Sequence, residues 1–266
     1  MRTSGPVAAV RTLGLLAAVL PLALLAGCGG GGEQGGGAKP PRTESHPFSP
    51  TPSDAPRPKP GAPVVAALGD SITAGSPLWD PDPDVRDRNP DALNPQSQYE
   101  YWAQARLGGR LRFRNCGVLG QTTSQIADRF AACTRGARAV VIQGGINDIV
   151  QRRPVERAAA DLRAMVRRAR ARGLAVVLVE VLPWNNGYLD AAPAIDRLNA
   201  LIDRIGREEG VQVLGFHDAL EDPRAPGRMR EDLTLEGDHP SVPGYRRLGE
   251  LVAAAPPIVA LAAPEG

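Results

Sequence analysis

The chain has 266 residues, 31 of them basic and 29 acidic. A net charge of +2 gives neither a basic stripe for nucleic acid nor an acidic solvating tail. Lysine occurs only at Lys39 and Lys59, so the rest of the chain offers no lysine for a Schiff base, a Ser/Lys dyad or a phosphate loop. Three Cys and three His also exclude a zinc-finger or iron–sulfur cluster protein.

Residues 1–27 read as an export signal. Arg2 and Arg11 supply a positive start, and Leu13 to Leu25 is an apolar run too short to span a bilayer comfortably. The run ends in Leu25-Ala26-Gly27-Cys28, which resembles a bacterial lipobox, in which the Cys becomes the lipidated first residue of the mature protein. The expectation is an extracytoplasmic protein held at the bacterial cell membrane through Cys28; an ordinary buried thiol is the alternative. Residues 28–62 are expected to form a disordered tether. Gly29 to Ala62 contains eight Gly and eight Pro and almost no apolar residue, so it cannot offset the entropy of ordering. Its glycines are no phosphate loop, since no strand precedes them and no Lys-Ser/Thr follows.

Residues 63–266 are expected to form one domain, large enough to bury a core without metals. Five short apolar runs, Val64–Leu68, Leu111–Asn115, Ala139–Gln143, Leu174–Leu182 and Val211–Phe216, have the nearly continuous Val/Leu/Ala character of buried parallel strands. Helical patterns alternate with them: Tyr99–Leu107, Thr122–Cys133, Pro154–Ala171, Ala194–Glu209 and Pro243–Ala255. The alternation predicts a three-layer α/β/α sandwich around a central parallel five-stranded sheet. Ligands in such sheets sit at the carboxyl ends of the strands.

Four segments at those ends carry chemistry. They are Gly69-Asp70-Ser71, Gly117-Val118-Leu119-Gly120-Gln121-Thr122-Thr123, Gly145-Ile146-Asn147-Asp148 and Glu236-Gly237-Asp238-His239. Each alone is weak: Asp and Ser are ordinary helix caps, and the others read as turns or a surface-loop histidine. Together and in this order they resemble the SGNH/GDSL hydrolase family over essentially the whole domain. The resemblance implies a flavodoxin-like fold, Ser71 as nucleophile, His239 as base, and an oxyanion hole from Ser71 N–H, Gly120 N–H and the Asn147 amide. Gly117 is a weaker match than Gly120. Glu236 stands where the family usually carries Asp. It is the first choice to orient His239, with Asp238 or a backbone carbonyl as alternatives. His217 is a minor alternative base. The α/β-hydrolase elbow G-x-S-x-G is absent, because Thr73 replaces its last glycine.

These residue types suit acyl transfer. A serine hydroxyl needs a base within hydrogen-bond reach, and histidine titrates near neutrality. A carboxylate on the other ring nitrogen fixes the tautomer, and preformed N–H donors stabilise the tetrahedral oxyanion. The expectation is a serine esterase, acting as a monomer without cofactor or metal on a small-molecule or glycan ester. A lipase or short-chain carboxylesterase, a glycan O-acetyl esterase and a non-catalytic surface binding protein are the competing forms.

Cys116 and Cys133 flank the segment carrying Gly120. In an oxidising compartment a disulfide between them is favoured over two buried thiols, worth roughly 3 kcal/mol in the chain-entropy model. Ser76 to Ser97 is a long loop rich in Asp and Pro. Its Asp80, Asp82 and Asp84 alternate like part of a calcium loop, but prolines intervene and Val85 replaces the required glycine. Trp79 and Trp184 either line a substrate site or pack beneath loops.

Overall fold

The computed structural model describes residues 57–263; the export signal, Cys28, the tether as far as residue 56 and residues 264–266 lie outside the described residues. The elements run β1 (Val64–Gly69), α1 (Ser71–Ala74), α2 (Pro83–Arg88), α3 (Tyr99–Arg106), β2 (Arg112–Gly117), α4 (Thr123–Cys133), β3 (Ala139–Ile142), α5 (Ile146–Val150) and α6 (Val155–Ala171). They continue with β4 (Ala175–Val179), α7 (Ala192–Glu209), β5 (Gln212–Leu214), α8 (Phe216–Leu220), β6 (Glu221–Asp222), β7 (Ala225–Met229), α9 (Val242–Ala254) and α10 (Pro256–Ala262).

Strands β1 to β5 form one parallel sheet in the order β2-β1-β3-β4-β5. Successive strand residues face opposite sides, and the core divides accordingly. Val65, Ala67, Val141 and Val177 pack with Tyr99, Phe216, Tyr245 and Leu248, from α3, α8 and α9. Ala66, Leu68, Val140, Ile142 and Leu178 pack with Ile126, Leu162, Met165, Leu198 and Ile202, from α4, α6 and α7. The sheet is thus the middle of three layers. The strand order reverses at β1 and β3, so the crevice between their carboxyl ends is the natural place for a ligand.

Local chemistry sets the element ends. Thr122 and Gln125 form a reciprocal capping box on α4, Ser241 caps α9 by accepting from the Gly244 N–H, and Gly210 ends α7 in the left-handed region at φ 62°. Strand β4 stops at Val179 instead of reaching Leu182 as expected. Beyond it the Asn199 side chain of α7 takes both main-chain groups of Val181, at 2.8 and 2.9 Å, leaving no ladder to extend. Strand β5 is shorter than expected because Gly215 turns the chain into α8.

Three features depart from the sequence reading. Residues 57–62 are not a loose end of the tether: Lys59 N–H donates to the Gly109 carbonyl at 2.8 Å and fastens them to the α3–β2 turn. The antiparallel pair β6–β7 has no apolar alternation to announce it. The loop after β1 contains α2, and its aspartates are turn-makers. Asp80 accepts from the Asp82 N–H at 2.8 Å, and Asp82 from the Asp84 N–H at 2.9 Å as the α2 cap.

Candidate active site

Ser71 is the first residue of α1, where β1 turns into a short helix. It is buried, with 5% exposure. A polar network fixes the turn from behind. The Asp70 side chain accepts from the Ile72 N–H at 3.0 Å, and Gln143 Oε1 accepts from both the Asp70 N–H and the Thr73 hydroxyl at 3.0 Å. Tyr99 OH lies 3.3 Å from Thr73 Oγ1, and Tyr245 OH donates to the Ser76 carbonyl at 3.4 Å. Burial pushes the Asp70 carboxyl up to about 6, against the opposing pull of the Ile72 N–H, Gln143 and His239.

The second segment separates its two glycines by role. Gly117 is a packing glycine: a Cβ there would lie 2.0 Å from the Ala74 nitrogen of α1. Gly120 is exposed, has φ +76°, and has open space where a Cβ would point. Only Gly120 therefore offers an accessible main-chain N–H, in a backbone conformation that favours glycine. Asn147, in α5, donates from Nδ2 to the Gln121 carbonyl at 3.1 Å, which turns its amide toward this loop.

Asp148, not assigned a role from the sequence, joins the two segments a second time. Fully buried, it accepts from the Thr123 N–H and hydroxyl at 2.9 Å each, and it pairs with Arg153. Its charge is neutralised by Arg153, which also reaches Asp161 at 3.2 Å.

The fourth segment is a loop closed on itself. Thr234 pairs with Pro240, the Thr234 hydroxyl donates to the His239 carbonyl at 2.9 Å, and the Gly237 N–H returns to Thr234 Oγ1 at 3.0 Å. Glu236 meets His239 at Nδ1. The extra methylene of Glu relative to Asp is absorbed within this loop. Asp238 is engaged elsewhere, accepting from the Trp184 indole N–H. Trp184 is therefore a strut under the loop. Asn186 Nδ2 donates to the Glu236 carbonyl at 2.9 Å and the Asn185 N–H to the Gly237 carbonyl at 2.9 Å, so the β4–α7 connection cradles the histidine loop.

The first and fourth segments are electrostatic neighbours. The charge of His239 lowers the pKa of Asp70, the residue before Ser71, and the charge of Glu236 raises that of Tyr245, whose hydroxyl reaches Ser76. No hydrogen bond joins Ser71 Oγ to His239 among the described residues. His217 lies past β5, three strands from β1, and its N–H donates to Glu180 Oε2 at 3.2 Å. Burial pushes the Glu180 carboxyl up to about 7. Trp79 carries Arg86 over its ring at 4.5 Å. The Cys116–Cys133 disulfide is present, with Cα atoms 6.0 Å apart.

A doubly wound parallel sheet with Ser, Gly, Asn and His segments at its carboxyl edge defines an α/β hydrolase of the SGNH type. The family model for GDSL-like lipases and acylhydrolases matches residues 67–247, and the chain belongs to that family. Solved structures share the fold. A protein assigned to the lipolytic G-D-S-L family from Desulfitobacterium hafniense DCB-2 is 23% identical, with 71% of this chain and 97% of that one covered at a TM-score of 0.59. A GDSL-like lipase from Bacteroides thetaiotaomicron VPI-5482 is 22% identical over 71% and 85% of the two chains, with a TM-score of 0.55. The psychrotrophic esterase EstA from a Pseudoalteromonas species, in a structure inhibited by monoethylphosphonate, is 18% identical over 71% and 96%, with a TM-score of 0.53. No curated protein sequence matches the chain significantly.

Proposed function

We propose that the protein is a serine carboxylesterase acting through a covalent acyl-enzyme. The observation that carries this reading is the Glu236–His239 contact at Nδ1, which fixes the imidazole tautomer and leaves Nε2 as the basic nitrogen. Ser71 Oγ attacks the ester carbonyl carbon while Nε2 takes the hydroxyl proton, and the carbonyl electron pair moves onto oxygen. The N–H groups of Ser71 and Gly120 and the Asn147 amide receive that oxyanion, each such donor being worth about 3–4 kcal/mol of barrier. Collapse breaks the ester C–O bond, and His239 delivers its proton to the leaving alcohol. Water repeats the sequence on the acyl-serine and releases the acid. Contact between Ser71 and His239 is made in the substrate complex, where catalytic hydrogen bonds tighten.

The loops at this edge carry exposed Leu119, Leu189 and Leu235. These apolar side chains favour an ester with an alkyl acyl group over an acetylated glycan. Export and attachment to the cell membrane through a lipidated Cys28 belong to the same proposal, supported by the disulfide, which persists in oxidising compartments.

The test is a panel of nitrophenyl esters of increasing chain length and of acetylated sugars, assayed beside Ser71→Ala. The reading expects hydrolysis of the nitrophenyl esters and its loss in Ser71→Ala. Activity surviving in that variant removes the nucleophile assignment. Activity confined to the sugars selects the glycan esterase, and silence on every substrate favours the binding protein.

A further inference from the structure

One side chain touches three of the stretches that the proposed chemistry brings together. Arg129 lies on α4, half-buried. Its Nε donates to Gln121 Oε1 at 2.7 Å, Nη1 to the Cys116 carbonyl at 2.6 Å, and Nη2 to the Gly69 carbonyl at 2.9 Å. Gly69 ends β1 directly ahead of Asp70-Ser71, Cys116 is near the end of β2, and Gln121 follows Gly120. The Gln121 carbonyl is also the acceptor that orients the Asn147 amide, at 3.1 Å. The guanidinium therefore fastens Gln121 by its side chain, while Asn147 leans on the same residue's main chain.

We infer that Arg129 is a positioning residue for the oxyanion site: it sets the distance between the Ser71 turn and the Gly120–Gln121 peptide and, through Gln121, the direction of the Asn147 amide. The inference rests on the esterase reading above. A planar fork with donors on three nitrogens meets three divergent acceptors, whereas a lysine ammonium on a flexible stem cannot match that geometry. The role is separable from holding α4 in place. Cys133 lies one turn further along the helix, and its disulfide ties α4 to Cys116 covalently, so the layer stays closed when the guanidinium is removed.

The experiment compares the full chain with Arg129→Met, Arg129→Lys, Gln121→Ala and the Arg129→Met/Gln121→Ala double variant on a short-chain nitrophenyl ester, with Ser71→Ala as the reference for the reaction itself. Arg129→Met is expected to lower kcat by about 10- to 100-fold with KM within about twofold, the pattern of an interaction made in the transition state. Arg129→Lys is expected to recover little of the loss. Gln121→Ala is expected to lower kcat several-fold, and the double variant to fall no further than Arg129→Met, because both act through one contact. Should Arg129→Met not fold, Gln121→Ala decides alone, since it removes only one of the three bonds. Wild-type kcat in Arg129→Met or in Gln121→Ala overturns the inference, as does full recovery by Lys or a loss carried by KM. Activity persisting in Ser71→Ala instead overturns the esterase reading on which it rests.

Discussion

The serine half and the histidine half of the proposed site are held in place by different means. Around Ser71 the fastening is internal: Asp70, Thr73 and Gln143 are buried at the end of β1 and β3, and their bonds run through the middle of the sheet. Around His239 it is superficial. The side chains of His239 and Glu236 are 17% and 39% exposed, their loop belongs to no sheet of the core, and its supports are side chains of the β4–α7 connection. A buried network is specified by the whole core and shares its stability, whereas a surface loop opens at lower free energy. The serine half is therefore the fixed reference of the site, and the histidine half is the part free to adjust as substrate enters. Substitutions in the first should register in stability, and substitutions in the second in turnover.

The largest effect that would sharpen this contrast lies within the histidine half. His239→Ala is expected to lower kcat by about 10⁴-fold, the scale of losing the base in a triad. Glu236→Ala is expected to cost about a hundredfold less than that, as removal of the orienting carboxylate does elsewhere. Neither should move the urea midpoint, because neither side chain contributes to the core. Steady-state kinetics with unfolding curves on the same samples checks both. Equal and near-complete losses in well-folded variants would break the ranking, and a large drop in midpoint would break the contrast.

The serine half should answer to pH. Asp70 titrates near 6 when folded, above the ordinary 3.8. A carboxyl whose pKa is raised on folding binds its proton more tightly in the native state. Its stabilisation is complete below about pH 3.8 and is lost as pH rises toward 6. The shift corresponds to about 3 kcal/mol. Asn keeps the capping oxygen without the charge, so Asp70→Asn should gain stability relative to wild type by about that much between pH 4 and pH 7. Comparing the two proteins cancels Glu180, which titrates near 7 in both. A stability difference that does not change over this range would show that ionisation of Asp70 does not strain the serine turn.

The contrast also accounts for what could be read in the amino-acid sequence. The buried strands announce themselves as continuous Val, Leu and Ala, so all five parallel strands, the layer order and the Ser71, Gly120 and Asn147 segments follow from pattern and spacing. Even the ambiguity between Gly117 and Gly120 is one the fold settles simply, since a Cβ at 117 meets α1 and a Cβ at 120 meets nothing. The histidine half was legible only as a motif. Its supports, Trp184, Asn185 and Asn186, stand about fifty positions from the loop they hold, and their bonding pattern has no periodicity to reveal it. Arg129 and Asp148 were hidden for a related reason: both look like ordinary helix residues until three separate chain segments converge on them.

The smallest expected effect is the most direct probe of that surface support. Asn186 is exposed and donates a single hydrogen bond, from Nδ2 to the Glu236 carbonyl at 2.9 Å. Removing it leaves a carbonyl that water can satisfy, so the net cost is about 0.5–1 kcal/mol. If the bond tunes the pose of the histidine loop, that cost should appear as a two- to fivefold fall in kcat, with the unfolding midpoint unchanged. Asn185 supplies the control, because its side chain bonds Met229 N at 2.6 Å and Met229 O at 3.1 Å instead of the loop itself. A kcat in Asn186→Ala equal to wild type would mean that the Asn185 backbone contact and the Trp184 strut suffice, and that the histidine half is more firmly set than its exposure implies.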